Sequence, residues 1–287
     1  MTLHLLAPAK VNLRLEVLKR LPSGYHQLRM INIAIDLCDE IKLELISSGF
    51  EIEIEGWKVE GENLVIKAFR YFCEKFNKKF GIRVLIKKRI PPGAGLGGGS
   101  SDAGAVLRGL CRHFGIDLNQ LNLKEIAYNL GADIPFCVFS FPSWVEGIGE
   151  NIEPIENFPE VHLLLLKPEF STSTSKVFNA WKDKRHLTVL EKEYILSRLY
   201  QRDWERVLFN DLEKVVFKMH PGLAQLKSLL KEAGADGVVM SGSGPTIVGV
   251  FSTQEKLNSA EQKIRKERPG LWLVSASQYQ PESEQKI

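Results

Sequence analysis

Cysteine is scarce in this chain, and the four that occur are badly placed for the usual structural tasks of a thiol. Cys38, Cys73, Cys111 and Cys137 form no Cys-x-x-Cys pair and have no histidine cluster beside them, which argues against a zinc site and a disulfide framework. They read as core thiols of a reducing cytoplasm. Long apolar runs are missing as well. None reaches about 18 residues, and the opening MTLHLLAPAK has neither the charged start nor the apolar stretch of a secretory signal. The expectation is a cytoplasmic protein with no membrane partner. Charge of a single sign is also lacking, since 38 Lys and Arg stand against 35 Asp and Glu, a formal +3. That balance calls for no nucleic acid, and its mildly basic sense suits small anionic substrates. No internal repeat is visible.

What the chain has in local excess is glycine. PPGAGLGGGSSDAGAVLRGLCRHFG, from Pro91 to Gly115, crowds Gly93, Gly95, Gly97, Gly98 and Gly99 between a strand-like run and a helix. Without Cβ atoms such a loop can turn several N–H groups toward one anion. Ala103, Val106, Leu107, Leu110, Cys111 and Phe114 then repeat with helical spacing, Ser100 or Ser101 is a candidate N-cap, and Gly115 closes the helix. The positive end of that helix faces the loop. Gly93, Gly95 and Gly98 also satisfy GxGxxG, but a dinucleotide loop follows an apolar strand directly. Here GIRVLIKKR is amphipathic and basic, and Pro91 and Pro92 intervene. No Gly-Lys-Ser/Thr follows, and there is no HRD or DFG, so Walker and protein-kinase readings fail. Lys87, Lys88 and Arg89 either add positive charge beside the loop or form a solvated strand face.

At 287 residues the chain has room for two domains. Val11, Leu13, Leu15 and Val17 alternate with polar residues as in a half-buried strand, whose polar face Lys10 and Asn12 share. Ile31, Ile33, Ile35 and Leu37 predict a second strand, Ile41, Leu43 and Leu45 a third, and Glu51 to Glu55 a fourth. A helix is expected from about Asn63 to Phe76, and another through LKEIAYNL, stopped by Gly131. NIEPIENFP breaks the periodicity. A strand restarts at Val161, helices are expected over much of 174–233, and GADGVVMSGSGPTIVGVF places two apolar strands around a glycine turn. A further helix and the strand LWLVSA follow, and the tail from Pro281 is expected to be disordered. The pattern predicts an α+β protein of two domains, 1–155 and 156–287, with a cleft between them.

PAKVNLRLEVLKRLPSGYH at the start, the glycine loop with GADIPF after it, and SGSGPT near the end resemble, in this order, the motifs of the GHMP kinase superfamily. The resemblance runs from Ala7 to about Phe251. Within the superfamily it points to the branch that phosphorylates a diphosphocytidyl sugar alcohol with ATP and Mg2+. It implies an N-terminal domain like domain 2 of ribosomal protein S5 and a ferredoxin-like C-terminal domain. The partners expected are small molecules, and the assembly state a monomer or weak dimer.

Phosphoryl transfer needs anchored phosphates, an oriented hydroxyl and compensation of charge in a loose transition state. Asp133, after the Gly131 helix stop and just before Ile134-Pro135, is a carboxylate able to accept a hydroxyl proton, its plain alternative being a structural cap. Lys10 can neutralise charge on the moving phosphoryl group, its alternative being a solvated strand lysine. The resemblance makes Lys10 and Asp133 the catalytic pair. It assigns ATP binding to Asn63, Lys88, Pro91, Gly93, Gly95, Leu96, Gly97, Gly98, Gly99, Ser100 and Ser101, with the last two as guesses for a metal ligand. It assigns the second substrate to Asn12, Tyr25, His26, Phe178, Gly242, Ser243 and Gly244. In this scheme Tyr25 and Phe178 sandwich the cytosine and His26 reads its edge. Gly242 and Gly244 otherwise serve a tight hairpin. The chain departs from the superfamily pattern at Ser23, at Gly104, where alanine is common, and at Pro245-Thr246.

Overall fold

The computed structural model describes residues 2–57, 63–182 and 190–280. The tail expected to be disordered lies outside them. The chain opens with two long antiparallel strands, β1 (Thr2–Arg20) and β2 (His26–Ile46), joined by a turn through Gly24. The alternation pattern predicts two strands where β2 runs unbroken. The reason is visible at Pro8, which has no N–H to donate to the ladder. Pro8 faces Cys38 while Ala9 faces Ile35, so Asp36 and Leu37 bulge out and the strand bends instead of ending.

Among the described residues a seven-stranded sheet forms around this pair in the order β3 (Phe50–Gly56), β4 (Gly81–Lys88), β2, β1, β8 (Phe209–Asn210), with a side branch. β3 (Phe50–Gly56) lies parallel to β4 (Gly81–Lys88), which pairs with the Glu40–Ile46 half of β2. The Leu28–Asn32 half of β2 takes β5 (Ser143–Gly147), and β6 (Asn151–Pro154) completes that branch. One face carries α1 (Leu64–Lys75), α2 (Gly98–His113), α3 (Leu123–Asn129) and α4 (Ile134–Phe139), around Leu43, Phe72, Ile82, Leu107 and Ile126.

The second sheet is antiparallel in the order β11-β7-β10-β9, from β7 (His162–Lys167), β9 (Gly237–Met240), β10 (Ile247–Phe251) and β11 (Trp272–Ser277). The four leucines of β7 are all buried because both faces of this sheet are covered. Leu163 and Leu165 join Val11, Leu13, Ile31 and Ile33 of the first sheet. Leu164 and Leu166 join helices α8 (Glu213–Met219), α9 (Gly222–Glu232) and α10 (Gln254–Glu267) through Val216, Leu230 and Ile264. Between β7 and α8 run α5 (Thr174–Ala180), α6 (Lys192–Tyr200), α7 (Trp204–Val207) and the short β8 (Phe209–Asn210), which pairs in parallel with β1 at Arg14 and Leu15. The architecture is α+β, as the sequence predicts. Among the described residues no helix is long and apolar enough to cross a membrane.

Candidate active site

The carbonyl of Leu96 accepts the backbone N–H of Lys10 at 3.0 Å, so the glycine loop is laced to β1. Gly97 sits at φ +68°, and a Cβ there would lie 2.8 Å from Cγ of Lys10. Only glycine lets the loop and the lysine stem pass this closely. Gly97 also caps α2, which begins at Gly98 with no side-chain cap. This corrects the expected serine cap, because the left-handed glycine bends the chain into the helix without one. Ser101 instead donates from its hydroxyl to Pro8 O at 2.6 Å, pinning α2 to β1. The N–H groups of Gly98, Gly99 and Ser100 have no carbonyl one turn back within the helix and constitute its anion-seeking end.

Lys10 is buried and donates from Nζ to Asn12 Oδ1 at 2.5 Å. Asn12 in turn donates from Nδ2 to Asn32 Oδ1 at 2.6 Å, which fixes the amide's orientation. Lys10 Nζ lies 3.6 Å from Asp133 Oδ2, whose side chain is 36% exposed. Asp133 precedes α4 but makes no side-chain cap bond, so the structural-cap alternative fails and the carboxylate is free toward the cleft. α4 is held from behind. Arg108 of α2 donates to the carbonyls of Cys137 and Val138 at 3.0 Å each, and Gly104 lets the two helices touch, since a Cβ there would meet the Cys137 carbonyl at 2.7 Å.

The SGSGPT turn between β9 and β10 closes the same site. Ser241 Oγ donates to Gly95 O at 2.9 Å and accepts the N–H of Asn12 at 3.2 Å. Thr246 N–H donates to Ala94 O at 3.2 Å. Asn210 braces the turn through bonds to Met240 O and Gly242 O. Gly242 faces Lys10 Nζ and Asn12 Oδ1 so closely that a Cβ would lie 3.2 and 3.3 Å from them.

A cavity of about 1050 Å³ results. It is lined by every residue to which the resemblance gave a catalytic or binding role except Leu96, Ser101 and Gly244, while Lys87 and Arg89 beside the loop do not line it. Leu96 and Ser101 are buried behind the loop, and Gly244 packs on Met240. Asn63 lines the cavity and also caps α1, accepting the N–H of Val65 at 2.8 Å. Tyr25 donates to Tyr128 O at 3.1 Å and remains 40% exposed. The His26 ring lies 5.1 Å from that of Phe178, tilted by 33°, and stands edge-on to Trp181, so Phe178 is a half-buried wall of the cleft whose near neighbour is His26. Burial, then the Arg20 charge, hold the His26 imidazole below its ordinary pKa, favouring the neutral ring.

Lys88 departs furthest from expectation. It is no solvated strand lysine but a buried cation between two acidic side chains, Asp39 and Asp102, the latter at 2.6 Å. Asp39 also accepts the N–H groups of Arg89 and Ile90, while Arg89 itself pairs outward with Glu40. Burial, reinforced by Asp39 and opposed by Lys88, pushes Asp102 up to about 7. Sequence reasoning misses Asp39, Asp102, Asn32 and Ser241. Asp102 stands inside GGGSSDA and Ser241 opens SGSGPT, so the motifs held a signal for these two, while nothing marks Asp39 or Asn32. The four cysteines form no disulfide, and burial raises Cys38 and Cys111 to about 11.

A glycine loop opening a helix, with a lysine–carboxylate pair in front of it and a second glycine turn across the cleft, on two packed α+β units, defines a small-molecule kinase of the GHMP type. Family models agree: residues 63–141 match the GHMP kinases N terminal domain and residues 195–270 the GHMP kinases C terminal. The 4-diphosphocytidyl-2-C-methyl-D-erythritol kinase of Citrifermentans bemidjiense is 40% identical over 96% of this chain and 98% of its own length. A crystal structure of 4-(cytidine 5'-diphospho)-2C-methyl-D-erythritol kinase superposes with a TM-score of 0.81 at 32% identity, covering 97% of this chain and all of that one. A homoserine kinase from Cytophaga hutchinsonii, at 19% identity, TM-score 0.72 and coverage of 97% and 94%, shares the fold. The chain belongs to the 4-diphosphocytidyl-2-C-methyl-D-erythritol kinase family.

Proposed function

We propose that the protein transfers the γ-phosphoryl group of ATP to the 2-hydroxyl of 4-diphosphocytidyl-2-C-methyl-D-erythritol, a step of the non-mevalonate isoprenoid pathway. The observation that carries this is the meeting, in one cleft, of the uncapped Asp133 carboxylate with Lys10 at 3.6 Å, the glycine loop, and the Tyr25, His26 and Phe178 group. Asp133 accepts the proton of the attacking hydroxyl as the oxygen–phosphorus bond forms and the bond to the departing ADP breaks. Lys10 offsets the charge spread over the phosphoryl oxygens. Gly97 and the first N–H groups of α2 hold the phosphates. The remote cytidine half supplies binding energy that keeps the hydroxyl near Asp133.

Magnesium would enter this site with ATP. It draws ligands chiefly from phosphate oxygens and water, and among the described residues no group of three His, Cys, Asp or Glu side chains is built for a metal. Of the two serines that open α2, Ser100 lines the cleft and would approach it, Ser101 being bonded to Pro8. The same reading makes the enzyme a cytoplasmic monomer or weak dimer with small molecules as its partners.

The test is phosphoryl transfer from ATP to the diphosphocytidyl substrate, its uridine form, free methylerythritol phosphate, homoserine and mevalonate. Turnover should require the cytidylyl half. Tyr25→Ala should raise KM for that substrate by the equivalent of one stacking contact, about 1–3 kcal/mol. His26→Ala should relax the preference for cytosine over uracil. Efficient phosphorylation of homoserine or mevalonate would overturn the assignment.

A further inference from the structure

The stretch from Ser171 to Thr174 belongs to neither sheet, yet it ties the two sides of the cleft together. Its approach is fixed, because Lys167 at the end of β7 donates from Nζ to Pro168 O at 2.8 Å and to Phe170 O at 3.3 Å. Ser171 Oγ donates to Pro92 O at 3.1 Å, and the backbone N–H of Thr172 donates to Gly93 O at 3.3 Å, both on the glycine loop. The Thr172 hydroxyl points the other way. It lies 2.9 Å from Ser243 O and 2.7 Å from Gly244 O, so one proton is shared between two carbonyls of the SGSGPT turn. Thr174 and Ser243 join hydroxyls at 2.9 Å, and Ser173 caps α5, the helix carrying Phe178. There is little slack in the loop contact, since a Cβ on Gly93 would lie 2.7 Å from Cβ of Ser171.

We propose that Thr172 is a positioning residue that couples occupancy of the glycine loop to the geometry of the Ser243–Gly244 turn, so that the two substrates bind more tightly together than apart. The proposal rests on the reading that the loop holds nucleotide phosphate and the turn faces the second substrate. Phosphate drawn onto the loop settles the Gly93 carbonyl. Gly93 then settles Thr172, whose hydroxyl holds two carbonyls of the turn while its Ser243 side of the cleft stays open to substrate. A coupling of this kind is reciprocal. One shared hydroxyl bond sets its scale at about fivefold in affinity.

The experiment is calorimetric titration of the full-length protein with 4-diphosphocytidyl-2-C-methyl-D-erythritol, with and without a non-hydrolysable ATP analogue. Wild type should bind the substrate about fivefold more tightly when the analogue is present, and by the same factor with the order of addition reversed. Thr172→Val keeps the shape and loses the donor, and should bring the ratio below about twofold. Thr172→Ser keeps the donor and should retain the wild-type ratio. A purely structural role would lower the melting temperature and weaken each ligand alone while leaving the ratio unchanged. Thr172→Ala replaces the valine variant if that one does not melt cooperatively. Absence of synergy in wild type, or its persistence without the hydroxyl, overturns the proposal. Wild-type turnover is measured alongside: synergy without turnover would refute the phosphotransfer reading instead.

Discussion

Replacing Asp133 by asparagine changes one charge and almost no volume, and the structure sets how little else should follow. The side chain makes no cap bond to α4, so the helix start loses nothing. Its pairing with Lys10 spans 3.6 Å with the carboxylate more than a third exposed, a geometry in which an ion pair contributes no more than about 1 kcal/mol. Lys10 keeps Asn12 Oδ1 at 2.5 Å and is not left unpartnered. Stability should therefore change by less than about 1 kcal/mol. If Asp133 accepts the hydroxyl proton, turnover should fall by about 10²–10⁴, or roughly 3–5 kcal/mol of barrier. ATP affinity should stay within a few-fold, because the residues from Gly93 to Ser100 are untouched. Single-turnover phosphoryl transfer, calorimetric ATP binding and thermal melting on one preparation separate the three quantities. A folded Asp133→Asn enzyme retaining more than about a tenth of wild-type turnover would refute the proton-acceptor role. Lys10→Ala is a blunter probe. It empties a buried position and strips the Asn12 amide of its donor, so lost turnover should come with lost stability.

Two further outcomes follow from the same geometry. Gly97→Val should weaken ATP binding and slow turnover, since a β-branched side chain at φ +68° strikes the Lys10 stem, whereas Gly99→Ala, with 3.7 Å to Leu64, should be tolerated; equal ATP affinities in the two variants would refute this. Asp102, held up near 7 mainly by burial, is protonated in the folded protein at pH values where the unfolded chain has already lost that proton. Its contribution to stability is thus fully present below about pH 4 and is lost as pH rises toward about 7. Asp102→Asn should flatten that slope in urea unfolding followed from about pH 5 to pH 8, and an unchanged slope would count against it.

Features carried by neighbours along the chain are legible in the sequence itself. The alternation around Val11 and Leu15 produces β1, and the Gly115 stop is realised as a Schellman closure, with Gly115 N–H on Arg112 O and Ile116 N–H on Cys111 O. The glycine loop and its helix are readable because a left-handed turn and a 3.6-residue period each leave marks within a few positions. The serine cap fails because Gly97 itself turns the chain, and one strand passes for two because a bulge interrupts alternation without ending the ladder.

The site's composition is also legible, through motifs, but its assembly is not. Asn12 and Ser241 are 229 residues apart and share a hydrogen bond, and Thr172 meets Gly93 and Ser243 from a third stretch of chain. Lys88 resembles any basic strand residue until β2 and α2 set Asp39 and Asp102 around it. Periodicity and turn chemistry are local, so the sequence by itself determined which segments become strands, helices and phosphate-seeking turns. Which polar groups end up buried together depends on sheet register and on the packing of one sheet against the other, and these only the tertiary structure decided.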